Sequence, residues 1–138
     1  MPTKRPKTRK ALARQPEILI FDVDGVLVDV RGTYWRSALD TVRHLSGRRV
    51  TYAELHRWKA KPGYNDDWRM TADWVTSLGT AVTYQQAQTA FNNFYWGTAK
   101  KPGNIRNEKL IITPKQISAW ASRYELNLFT GRNRREFS

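Results

Sequence analysis

One short stretch limits what this chain can fold into more than any other: Glu17-Ile18-Leu19-Ile20-Phe21, running straight into Asp22-Val23-Asp24-Gly25-Val26-Leu27-Val28-Asp29. Its apolar residues are continuous rather than alternating, which is the pattern of a strand buried in a parallel sheet, and Gly25 marks the turn after it. In an α/β sheet, ligands sit beyond the carboxyl ends of the strands, so this run delivers two carboxylates to the place where a site is expected. Alternate residues of an extended chain point the same way. Repulsion then opposes double ionisation of Asp22 and Asp24 unless a cation is bound or one carboxyl keeps its proton. The pair asks for a divalent metal, and oxygen donors without cysteine or paired histidine favour Mg²⁺ over zinc.

After this strand the signals turn helical. Residues 34–45 place Trp35, Ala38, Leu39, Val42 and Leu45 on one stripe, with Gly47 as the stop. Thr51 and Glu54 form a capping box for a second helix running through Trp58. After Lys61-Pro62-Gly63, either Asn65 or Asp66 caps a third, which carries Trp68, Met70, Trp74, Val75 and Leu78 and ends at Gly79. Thr83 caps a fourth, with Ala87, Ala90, Phe91, Phe94 and Tyr95 at helical spacing before Gly97. A linker around Lys100-Lys101-Pro102-Gly103-Asn104 follows. Thr113 and Pro114 open a last helix with Ile117, Trp120 and Ala121 inside it, and residues 126–129 form a second strand leading into Thr130-Gly131-Arg132. The order strand, helical insert, helix, strand is one crossover of a parallel α/β sheet with a helical subdomain inside the connection.

Composition narrows the function classes. The chain has 138 residues, enough for one domain with a real core, and no cysteine, which excludes disulfides and thiolate metal sites and makes the cytoplasm the expected compartment. No run approaches the ~18 consecutive apolar residues of a membrane span, so no membrane partner is expected. The net charge of +12 is uneven: residues 1–16 carry six Lys or Arg and no acid, and the remaining 18 bases and 12 acids leave +6. Such a segment is expected to be disordered. It is either a solvated extension or a weak contact for nucleic acid or another polyanion.

The run from Asp22 to Asp29 resembles the first motif of the haloacid dehalogenase-like (HAD) hydrolase superfamily, and Leu126-Asn127-Leu128-Phe129-Thr130-Gly131 resembles its second. The helical block between them is similar to the cap that one phosphatase-type subgroup inserts at this place, and Gly63-Tyr64-Asn65-Asp66-Asp67-Trp68 is similar to a segment of phosphatase-like members. The resemblance implies a Rossmann-like core made of residues 17–30 and 105–138 and a helical cap of residues 31–104. It also implies Mg²⁺-dependent hydrolysis of a small phosphorylated metabolite through an aspartyl-phosphate. Asp22 is then the nucleophile and Asp24 the acid and base, both serving the metal. Thr130, Gly131 and Arg132 bind substrate, with Arg132 equally readable as a surface arginine. The aspartate at position 24 favours phosphoryl transfer over dehalogenation, because a halide leaving group needs no acid. Asp29 reads as a turn or surface residue.

The family pattern continues with a lysine and a further acidic pair downstream of the second motif, yet only eight residues follow Thr130, with Glu136 the one acid and no lysine. Lys109 and Lys115 precede the second strand and do not fill that place. The expectation is therefore an incomplete HAD-type α/β sheet, an N-terminal part of such a protein with impaired activity. Self-association or pairing with a complementing C-terminal half is expected with it. The rival expectation is a catalytically inactive basic module for nucleic acid or another polyanion. His44 and His56 lie on separate helices and are expected at the core edge or surface. The six tryptophans are expected mostly in the core of the helical block.

Overall fold

The computed structural model describes residues 17–137, so the basic segment 1–16 and Ser138 lie outside the described residues. Strand β1 spans Glu17–Asp22. A tight turn follows, in which the amides of Val26, Leu27 and Val28 all donate to the carbonyl of Val23, and Gly25 supplies the left-handed step with φ +80°. The two-residue strand β2, Val28–Asp29, ends this segment.

The chain then makes one wide turn, Arg31–Trp35, in which the Trp35 amide reaches back to the Val30 carbonyl at 3.1 Å. Sequence spacing starts the helix at residue 34, but regular α-helix begins two residues later, because the i→i+5 bond of this turn holds an extra residue out of the ladder. Helix α1 runs over Arg36–Ser46 and closes on Gly47 in the left-handed conformation. Helices α2 (Tyr52–Lys59), α3 (Asp67–Ser77) and α4 (Tyr84–Trp96) follow at the predicted positions. Thr51 and Thr83 form full capping boxes with Glu54 and Gln86. Of the two candidate caps for α3, Asp66 is the one used, its carboxylate accepting from the amides of Trp68 and Arg69.

These four helices enclose the main core, in which Leu39, Val42, Leu55, Met70, Trp74, Val75 and Phe91 are at most a few per cent exposed. Helix α1 lies against both α3 and α4. Ser37 and Thr71 are buried, and each hydroxyl is satisfied by the carbonyl four residues back: Ser37 donates to Thr33 in the preceding wide turn at 2.9 Å and Thr71 to Asp67 at 2.6 Å. Trp74 is buried and Trp35, Trp58, Trp68 and Trp96 pack around the same core, while Trp120 lies elsewhere, 5.1 Å from Phe21. His44 and His56 are exposed and meet Phe94 and Trp35 edge-on.

A small hairpin, β3 (Gly97–Thr98) with β4 (Lys101–Pro102), leads through a 3₁₀ turn at Asn104–Asn107 to β5, Lys109–Leu110. β5 pairs antiparallel with β2, Val28 opposite Leu110 and Asp29 opposite Lys109. Thr113 with Gln116 caps helix α5, Pro114–Ala121, and β6, Tyr124–Phe129, returns to lie parallel to β1. The fold is α/β with a parallel two-stranded sheet, β1-β6.

One expectation is corrected here. β1 is parallel but not buried: Ile18 is 60% exposed and Ile20 64%, as are Leu128 and Phe129 of β6 to a similar or greater degree. The register pairs Leu19 with Leu126 and Phe21 with Leu128, and on that face Trp120 of α5 packs against Phe21 while Leu128 stays exposed. The other face, with Ile18, Ile20 and Phe129, has no layer over it among the described residues, so an apolar sequence is present without the burial that such a sequence ordinarily reports.

Candidate active site

The parallel register brings the two loops of interest to one end of the sheet. Asp22 is opposite Phe129, so the residues that follow, Val23-Asp24-Gly25 and Thr130-Gly131-Arg132, leave the sheet side by side. This is the carboxyl end of both strands. Asp22 is exposed, and its Oδ1 accepts from the amide of Val23 at 2.8 Å, a bond that fixes the carboxylate against its own strand end. The backbone hydrogen bonds of the next turn go to the carbonyls of Val23 and Val28 and leave the carbonyl of Asp24 open. The Thr130 hydroxyl accepts from the amide of Arg132 at 3.1 Å, so its own hydrogen is free to be donated outward.

Arg132 is more deeply placed than its sequence context suggests. Its side chain is 2% exposed, and its Nε and Nη2 both donate to Asp24 Oδ1, at 2.9 and 2.7 Å. Nη2 also lies 2.8 Å from Oε2 of Glu108. Burial works against the guanidinium charge, but the hydrogen bonds to Glu108 and Asp24 outweigh it and raise the pKa further above the ordinary arginine range. Glu108 precedes β5, and the pairing of β5 with β2 is what carries it from a distant part of the chain to the carboxylate turn.

Beside Asp24, Gly131 and Arg132 opens a cavity of about 330 Å³, whose far wall comes from the helical block through Tyr34, Asn65, Trp68 and Tyr95. Glu136, in a 3₁₀ turn at Arg134–Phe137, closes one side. Its carboxylate accepts hydrogen bonds from the hydroxyls of Tyr34 and Tyr95, whose rings stack at 4.7 Å, and from the amide of Asn133 at 2.8 Å. Burial pushes the Tyr95 phenol up to about 12, and burial together with the Glu136 bond pushes Tyr34 still higher. Asp67 reaches Lys59 at 2.5 Å, and the second oxygen of Asp66 accepts from Tyr84 at 2.9 Å. Asp29 lies outside the cavity lining: hydrogen bonds from the Arg31 guanidinium and amide hold its carboxyl at about 2.

Sequence reading thus named Asp22, Asp24, Thr130, Gly131 and Arg132, which lie near one strand end; Asp24, Gly131 and Arg132 line the cavity, and Asp22 and Thr130 do not. It missed the Glu108 bond and the Tyr34-Tyr95-Glu136 cluster. Glu108 sits in an unpatterned linker and offered no signal, whereas Glu136 was visible as the one acid after Thr130. Among the described residues no group of three His, Asp or Glu is gathered as a metal site. The donors at the strand end are hard oxygens, the Asp22 carboxylate and the Asp24 carbonyl. Oxygen donors of this kind would suit Mg²⁺ rather than zinc.

Comparison with known proteins gives a fold and no family. No family model matches the chain. The chain is similar to a protein named imidazoleglycerol-phosphate dehydratase from Phytophthora nicotianae, 28% identical over 132 residues, which are 91% of this chain and 29% of that relative. The chain therefore spans less than a third of the relative that carries the name. Among solved structures it is similar to phosphatase Tt82 from Thermococcus thioreducens, with a TM-score of 0.64 and 22% identity over 85% of this chain and 64% of that one. At that identity the likeness establishes a shared α/β fold. Among the described residues no helix is long and apolar enough to cross a membrane.

Proposed function

We propose that the chain carries the nucleophile-bearing part of a HAD-type phosphatase, hydrolysing a small phosphomonoester through an aspartyl-phosphate. The observation that carries this reading is that Asp22, Asp24 and Thr130 lie at the carboxyl end of two adjacent parallel strands, with Asp24 and the Gly131-Arg132 backbone that follows Thr130 lining a cavity walled by the helical block. The phosphatase-like fold of the structural neighbour agrees with it.

In the first step a carboxylate oxygen of Asp22 forms a bond to phosphorus, the bond from phosphorus to the alcohol oxygen breaks, and Asp24 gives its proton to the departing oxygen. In the second step Asp24 takes a proton from water, the water oxygen bonds to phosphorus, and the Asp22 carboxylate is released together with inorganic phosphate. The Thr130 hydroxyl and the backbone of Gly131 face the phosphoryl oxygens, where donors are worth most as charge collects there. Asp22 and the Asp24 carbonyl would hold Mg²⁺, which supplies charge neutralisation to the phosphoryl group when bound. Residues 31–104 act as a cap that excludes water from the cavity, and the substrate is a small phosphorylated metabolite in the cytoplasm.

The test is phosphate release from a set of phosphomonoesters in the presence of Mg²⁺. Asp22→Asn is expected to abolish turnover and to prevent labelling of the chain by ³²P-substrate. Wild-type rates in that variant would end the proposal.

A further inference from the structure

We infer that Arg132 and Glu108 are positioning residues for Asp24, a device that rests on the reading of Asp24 as the group exchanging protons with substrate. Arg132 lines the cavity, but its side chain is only 2% exposed and both Nε and Nη2 are already committed to protein carboxylates. Its charge must be neutralised where it is, since an unpaired buried cation is strongly unfavourable. Glu108, about one third exposed, supplies the carboxylate that balances the guanidinium whatever the protonation of Asp24, whose Oδ1 accepts from the same guanidinium while Oδ2 carries the exchanged proton.

The pattern of bonds decides what the arrangement does. Both donors aimed at Asp24 go to the same oxygen, Oδ1, at 2.9 and 2.7 Å. Two bonds to one oxygen fix the plane and rotamer of the carboxylate and leave Oδ2 as the oxygen that exchanges a proton. Glu108 meets the same Nη2 at 2.8 Å, so one guanidinium nitrogen is shared between the two acids and links the position of Asp24 Oδ1 to that of Glu108. The Thr130-Gly131-Arg132 turn is itself pinned by the Arg132 amide on the Thr130 hydroxyl. The general acid and the phosphate-facing hydroxyl are therefore tied to one another through a single residue.

The experiment measures kcat and KM separately for the full chain with p-nitrophenyl phosphate and Mg²⁺, in wild type, Asp22→Asn, Arg132→Lys, Arg132→Ala and Glu108→Gln, with folding checked by circular dichroism. Arg132→Lys and Glu108→Gln are expected to lower kcat by ~10- to 100-fold, the scale of a misplaced catalytic group, with little change in KM. Added guanidinium at millimolar concentration is expected to restore part of the kcat of Arg132→Ala. A rise in KM at unchanged kcat would make Arg132 a substrate ligand and overturn the inference, as would wild-type kcat in Glu108→Gln. Full turnover in Asp22→Asn, or none in wild type, is instead a failure of the phosphatase reading. The Arg132 Nε–H resonance then decides the positioning claim: a distinct signal that moves in both Asp24→Asn and Glu108→Gln supports it, and a signal indifferent to either substitution overturns it.

Discussion

At the scale of single residues, the site is built from groups whose charge is controlled by neighbours rather than by solvent. Arg132 is ionised in a buried position because two carboxylates meet it, and Glu136 is held by neutral donors from Tyr34, Tyr95 and Asn133. The two phenols give a titration that can be checked. A tyrosine whose folded pKa is raised above its unfolded value, near 10, stabilises the fold fully below that value, and this contribution disappears as pH rises through the folded pKa. With Tyr95 at about 12 and Tyr34 above it, these two are expected to be the last tyrosines to ionise, and alkaline unfolding should accompany their ionisation. Ultraviolet titration of phenolate in wild type, Tyr34→Phe and Tyr95→Phe tests this. Loss of two tyrosines' worth of signal from the latest phase only on unfolding is the expected result, and ionisation of both below pH 10 in the folded chain is the contrary one.

At the scale of elements, helix boundaries follow local chemistry closely. Thr51, Thr83 and Thr113 each close a capping box with the residue three positions on, and these bonds need nothing beyond the adjacent sequence. Thr83→Ala is expected to lower unfolding free energy by about 1 kcal/mol in chemical denaturation, and Thr83→Ser to leave it nearly unchanged, because serine accepts the same bond from the Gln86 amide. Strands behave otherwise. The apolar composition of β1 announces a parallel strand and the structure supplies one, but its burial depends on layers contributed by other parts of a sheet, and among the described residues α5 alone packs on it, through Trp120 on Phe21. Gly103 shows the same dependence on tertiary context. A side chain there would collide with the backbone of Tyr95 and Trp96, a constraint set by how α4 meets the hairpin and not by any local glycine conformation.

At the scale of the whole molecule, burial is unequal. The helices α1 to α4 share a dense core around Trp74, Leu39 and Phe91, whereas the sheet that carries Asp22 leaves Ile20 and Phe129 open to solvent. Local stability scales with buried contacts, so amides of β1 and β6 are expected to exchange with deuterium faster than those of α1 and α3, in a separate phase of lower protection. Equal protection in all four elements would contradict this. The candidate site spans both parts, since its carboxylates come from the sheet end while Tyr34 and Tyr95 come from the helical block. What the sequence determined by itself was whatever depends on near neighbours: the capped helices, the strand feeding Asp22 and Asp24, and the turn at Gly25. Tertiary structure alone decided that Glu108 meets Arg132, that Glu136 receives two tyrosines, and that an apolar strand lies bare, because each of these is a meeting of segments tens of residues apart whose approach is set by packing and leaves no periodic trace in the chain.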